Sequence, residues 1–152
     1  MAESWIGWVF FKYEGGYEII IKSLDHYRKR LKTIGNSPEI KGAAAMFASV
    51  LHQEAMKTTP KIDNAVKKIK ECLSGKRSAD SLIEDIPLFQ KALACYESDI
   101  KKAQDTRYEY FLNLVGDIAI AKKDVSRIKS AQNKIRVPTP NQYHANTNQD
   151  KG

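Results

Sequence analysis

Cysteine, histidine, proline and glycine are all sparse in this chain, and each shortage closes off a class of function. Two cysteines and three histidines stand among 152 residues. No Cys-x-x-Cys pair occurs, so structural zinc, iron–sulfur clusters and c-type haem attachment have no support in the sequence. Cys72 and Cys95 both fall within helical patterns. If those helices form a hairpin turning near Lys76, Cys95 lies ~20 Å beyond the residue facing Cys72, at ~1.5 Å per residue. That is too far for a disulfide, so both are expected as buried or half-buried thiols.

The histidines offer little more. His144 lies near the C-terminus, His26 follows Asp25 on the polar side of the first helical pattern, and His52 reads as a solvated surface residue. A di-iron bundle needs Glu-x-x-His pairs facing inward, whereas Ser23 and Ser49 stand three residues before His26 and His52. No Arg precedes a histidine by four to six residues, the spacing that some helical-bundle ribonucleases use. Gly15-Gly16 is an isolated pair, and no glycine-rich phosphate loop is present. The adjacent acids Glu84-Asp85 are explained by helix capping and the helix dipole. The chain is therefore expected to be non-catalytic, with no metal or cofactor.

Long apolar runs are also missing. No window of ~18 apolar residues exists, so no membrane-spanning helix is expected. The apolar stretch from Trp5 to Phe11 ends at Lys12 with no basic residues ahead of it, which does not fit a signal peptide. A cytoplasmic protein is the expectation.

What the chain does have is apolar residues in helical rhythm. With 42% hydrophobic and 28% charged residues, it is able to fold and bury a core. From Leu82 through Ile86, Phe89, Leu93, Tyr96 and Ile100 to Ala103 the steps alternate four and three. The beat resumes at Phe111 and runs through Leu114, Ile118, Ala121, Val125 and Ile128 to Ile135. One side chain per turn then lies on a single stripe that another helix must cover. Four-residue steps around Arg107 form a stutter, and Thr106-Arg107-Tyr108-Glu109 fits a capping box. Residues 88–136 are therefore one long helix or two, split near Gln104 to Thr106.

Earlier segments follow the same rule. A first helix begins after Ser4, is interrupted at Gly15-Gly16 and stops at Gly35-Asn36. Ser37-Pro38 opens a second, whose wide apolar arc (Ile40, Ala43, Ala44, Met46, Phe47, Val50, Leu51, Ala55) predicts the most buried element. Thr59-Pro60 either kinks this helix or separates it from a stripe running from Ile62 to Leu73, which Gly75 ends. Ser81 to Glu84 fits another capping box, and Pro87 predicts that this first turn stands apart from the helix after it. The fold class is all-α, an antiparallel bundle of four to five helices with coiled-coil-like packing. Residues 1–137 make one domain and 138–152 a polar tail expected to be disordered.

Two surfaces survive as functional candidates. The aromatic start has more rings than one helix face buries, and Trp5, Trp8 and Phe11 are candidates for docking a protein partner or a second copy. A membrane surface is a weaker fit because of Glu3 and Glu14. The net charge is +7, and Lys122, Arg127, Lys129, Lys134 and Arg136 make a candidate polyanion-binding ridge with one acid, Asp124, among them. The leading expectation is an interaction or scaffold module. A nucleic-acid-binding accessory protein is the alternative, and no small-molecule substrate is implied.

Overall fold

The fold is seen in a computed structural model that describes Trp5, residues 7–38 and residues 48–136. Six α-helices and no strand occur among the described residues: α1 (Trp8–Tyr13), α2 (Gly16–Lys32), α3 (Ala48–Leu73), α4 (Ile86–Thr106), α5 (Glu109–Val115) and α6 (Ile118–Lys134). Short 3₁₀ segments occupy Ile34–Asn36 and Ala79–Asp85. No described helix is long and apolar enough to cross a membrane. The polar tail, the expected start of the second helix and its arc from Ile40 to Phe47 all lie outside the described residues.

α4 is the centre of the bundle. Its stripe of Ile86, Phe89, Leu93, Tyr96, Ile100 and Ala103 is buried throughout, and α2, α5, α6 and the Ala79–Asp85 segment all pack on it. Ile19, Ile20 and Leu24 of α2 and Ala121, Ile128 and Ala131 of α6 complete the same core. Of the arc expected to be the most buried, only its end is described, and there Ala55 is buried, Leu51 half-buried and Val50 exposed. Ser49, Val50, His52, Gln53 and Glu54 are exposed, and Met56 is 76% exposed. α3 packs mainly on α2 and the 3₁₀ segments rather than on α4, so that part of its broad apolar arc has no neighbour among the described residues.

Pro60 does not divide α3. Its ring removes one backbone donor, which frees the carbonyl of Met56. Both residues are exposed, so water can take that bond. Thr59 Oγ1 bonds back to the Ala55 carbonyl at 2.9 Å instead of capping a new helix.

The long segment after Leu88 is divided, as one of the two alternatives holds, but twice and by other devices. Arg107 takes a left-handed conformation (φ 58°) and ends α4. Thr106 caps nothing downstream: its hydroxyl donates to Lys102 O at 2.6 Å and accepts from the Tyr108 amide at 3.2 Å. Gly116 (φ 71°) makes a second break, and Asp117 then caps α6 by accepting from the amides of Ala119 and Ile120. Two breaks, with that at Gly15-Gly16, account for six helices where four or five were expected.

Two further cap assignments change. Ser78, not Ser81, caps the 3₁₀ segment by accepting from the Asp80 amide. The pair Glu84-Asp85 does more than favour a helix start. Its carboxylates close on Lys68 of α3 at 2.6 and 2.8 Å, and the Lys68 side chain is only 5% exposed. Burial alone would lower the Lys68 pKa, but the bonds to Asp85 and Glu84 outweigh it and hold the ammonium above its ordinary value. The hydrogen bond from Lys68 in turn holds Glu84 below its own.

The aromatic start is folded inward. Trp5 and Trp8 are each 2% exposed and Phe11 is fully buried. Trp8 stacks on Phe11 at 5.3 Å, and Phe11 reaches Phe89 of α4 at 6.4 Å. The sharp turn at Gly15 (φ 79°) folds α1 back, and it brings the Phe10 ring and carbonyl against Gly16. A Cβ on Gly16 would stand 2.6 Å from that ring and 2.9 Å from the carbonyl.

Gly16→Ala is expected to destabilise the protein by about 1–3 kcal/mol, because the carbonyl cannot yield as a side chain can; urea unfolding followed by tryptophan fluorescence measures it. The Lys68 clamp predicts a pH effect. A depressed Glu84 pKa adds stability above the unfolded value of 4.5, and this is lost as pH falls through the folded pKa. The raised Lys68 pKa adds stability below 10.5 that is lost as pH rises through its folded value. Between pH 6 and pH 3 the unfolding midpoint should therefore fall more steeply in the wild type than in Lys68→Met. Equal slopes would show that the clamp contributes nothing.

Candidate functional site

The seam between α2 and α4 holds the densest group of titratable side chains in the core. Asp99 of α4 is 1% exposed, and three donors converge on its Oδ2. His26 Nε2 of α2 lies 2.8 Å away, Arg30 Nε 3.4 Å and Cys95 Sγ 3.7 Å. Helical geometry accounts for the grouping. His26 and Arg30 are four residues apart on α2, Cys95 and Asp99 four apart on α4, and residues so spaced share a face. A carboxylate taken this far from water needs such partners, since an unpaired buried charge is strongly unfavourable.

His26 was placed on the polar side of its helix, and this is corrected. It is 6% exposed, with its ring 4.8 Å from that of Tyr96. Its neighbours Asp25 and Arg28 continue the polar face of α2, which hid the inward turn. His52 is exposed, as expected. Cys95 is half-buried, Cys72 is buried, and both are free thiols. Burial, then the charge of Asp99, pushes the Cys95 thiol up to about 12. Its hydrogen bond runs to the carboxylate and not to the imidazole. Nucleophilic catalysis by a thiol calls for the reverse, a depressed pKa with the histidine as base.

The same seam continues toward α6. Tyr96 donates its hydroxyl to Asp124 Oδ2 at 2.8 Å, and Lys22 Nζ meets that oxygen at 2.5 Å. Burial, followed by this bond to Asp124, raises the Tyr96 pKa. A groove of about 280 Å³ lined by Lys22, His26, Lys29, Tyr96 and Val115 brings solvent to the edge of the network. At its other end Arg30 donates to the Tyr110 hydroxyl at 2.9 Å and lies over the Tyr110 and Phe111 rings, tying α5 to α2.

The structure treats the two predicted surfaces differently. Trp5, Trp8 and Phe11 sit together in the core, so none of them is presented to a partner. Of the aromatic start, Tyr13 at 67% is the exposed ring, with Val9 at 60% one turn before it. Lys122, Arg127, Lys129, Lys134 and Arg136 are all exposed, as is Lys123. They form two rows. Arg127 pairs with Glu18 of α2 at 3.3 Å, and Lys134 with Glu14 at 3.2 Å. Lys122, Lys129 and Arg136, spaced by seven, make no ion pair among the described residues.

The Asp99 network was missed from sequence because its parts are 73 residues apart. One local signal existed: Asp99 falls one residue before Ile100 of the stripe, at its edge. Asp124 has the same place in α6, one residue before Val125.

Asp99→Ala should lower stability by about 3–5 kcal/mol in denaturant unfolding, since it removes the carboxylate on which His26 and Arg30 converge. Tyr96→Phe keeps the Asp124–Lys22 pair and should lose only about 1.5–3 kcal/mol. Equal losses would mean that Asp99 is not the keystone of the seam. Comparison of the chain with family models, with curated proteins and with solved structures returned no match.

Proposed function

We propose that this protein is a non-catalytic binding module that engages the phosphate backbone of nucleic acid through the outer face of α6. The observation that carries this reading is the disposition of charge on that helix. Lys122, Lys123, Arg127, Lys129, Lys134 and Arg136 are all exposed, while Asp124 is 3% exposed and paired with Tyr96, Lys22 and, of the ridge, Arg127. Folding therefore withdraws the acid and leaves the cations outside. Lys122 and Lys129, seven residues apart on α6, stand ~10.5 Å apart along its axis, and Arg136 follows just past the helix end at Lys134; spaced cations of this kind contact phosphates without reading bases. No aromatic residue interrupts α6, so base stacking has no part in the reading.

The competing reading is docking of a protein partner through apolar surface. It loses Trp5, Trp8 and Phe11 to the core and keeps Val9 and Tyr13 on α1, Val50 and Met56 on α3, Tyr108 ahead of α5 and Ile120 on α6 as exposed apolar side chains. These are spread over separate elements with at most two on each, whereas the cations share one segment, so the cationic face is preferred.

Gel shifts on duplex DNA and RNA at low and near-physiological salt test the proposal. Sequence-tolerant binding that weakens steeply with salt is expected. The combined substitution Lys122→Glu, Lys129→Glu, Arg136→Glu should abolish the shift and leave the circular dichroism spectrum unchanged. Neutralising the same three with Gln should reduce the slope of log K against log salt by about 3. No shift at low salt, or a shift indifferent to these changes, overturns the reading.

A further inference from the structure

The seam that neutralises Asp99 also brings together three different metal-ligating side chains. His26 Nε2, Cys95 Sγ and a carboxylate oxygen of Asp99 all lie within 4.8 Å of one another. We propose that these residues form a binding site for a zinc-like divalent cation, joining α2 to α4.

The donor set suits such an ion. Imidazole, thiolate and carboxylate are the three side-chain types that bind zinc, and three protein ligands leave a fourth position for water. A tetrahedral ion with bonds of about 2.0–2.3 Å holds its donors roughly 3.2–3.7 Å apart. Cys95 Sγ and Asp99 Oδ2 already stand at 3.7 Å. The His26 to Asp99 separation of 2.8 Å has to open by about half an ångström, and the His26 to Cys95 pair, within 4.8 Å, has to close to the same range. Two ligands come from one turn of α4 and the third from the facing helix, so the backbone under all three is rigid. His26 and Asp99 are buried, whereas Cys95 is half-buried and leaves an approach.

Binding adds one positive charge to the seam, since a dication enters and one proton leaves. On binding, the Cys95 thiol releases its proton to solvent and a sulfur–metal bond replaces the S–H bond. Thiolate and carboxylate then cancel the dication. Arg30 is the competing cation on Asp99, but its guanidinium also donates to the Tyr110 hydroxyl and keeps that anchor when the carboxylate oxygen turns to the metal. The Tyr96 ring beside His26 supports the imidazole from behind.

Cobalt(II) titrated into the full-length protein is the test. One equivalent should produce a thiolate-to-cobalt charge-transfer band and the visible bands of tetrahedral cobalt, and zinc should remove them by competition. Cys95→Ser should eliminate the charge-transfer band, His26→Gln should weaken cobalt binding at least about tenfold, and Cys72→Ser should change neither. Absence of the band in the wild type, or a band that survives Cys95→Ser, overturns the proposal. Should Cys95→Ser fail to fold, X-ray absorption on the zinc-loaded wild type decides: one sulfur in the metal's shell supports the site, and a shell of nitrogen and oxygen alone excludes it.

Discussion

Asp99 carries a charge into the middle of a helical bundle, where water cannot reach it, and the arrangement around it follows from that constraint. α4 is covered by α2, α5, α6 and the 3₁₀ segment before it, so a carboxylate on its inner edge has to be satisfied by the protein. His26 and Arg30 do this from α2, and Arg30 extends the linkage to Tyr110 of α5. Asp124 is held in the same manner by Tyr96 and Lys22. Apolar burial brings these helices together without specifying their rotation or register. Paired buried charges do, because sliding one helix by a turn would leave carboxylates unmatched.

This polar seam shapes the outside as well. With Asp124 drawn inward, every charged residue on the solvent face of α6 is a cation. Part of that charge is absorbed by Glu14 and Glu18, while Lys122, Lys129 and Arg136 make no ion pair among the described residues. The residues that hold the interior together thus also set the sign of the surface. Of the aromatic residues ahead of Gly15, Trp5, Trp8 and Phe11 serve the interior: the turn at that glycine lays Phe11, with Trp8 stacked on it, against Phe89.

Much of the fold was legible in the chain because helical periodicity is local. Spacings of three and four identified Ile86, Phe89, Leu93, Tyr96, Ile100, Ala121 and Ile128 as core, and they are buried. Gly15-Gly16 and Gly75 marked ends that the structure observes, and Pro87 correctly set the Ala79–Asp85 segment apart from α4. Capping was read less well. Ser81 and Thr106 had suitable neighbours for a capping box, yet Ser78 and Asp117 do the capping that the structure records. Several residues near a helix end can usually serve, and packing selects among them.

By itself the sequence determined the all-α class and the apolar stripes of α4 and α6, since each depends on residues within a few turns of one another. Only the tertiary structure decided which helix lies at the centre, where Trp5, Trp8 and Phe11 go, and that His26, Cys95 and Asp99 meet. Those outcomes depend on which faces are brought together across many tens of residues. A residue at the margin of an apolar stripe is buried or solvated according to its neighbours, and Asp99 and His26 are bonded inside because α2 and α4 present these margins to each other.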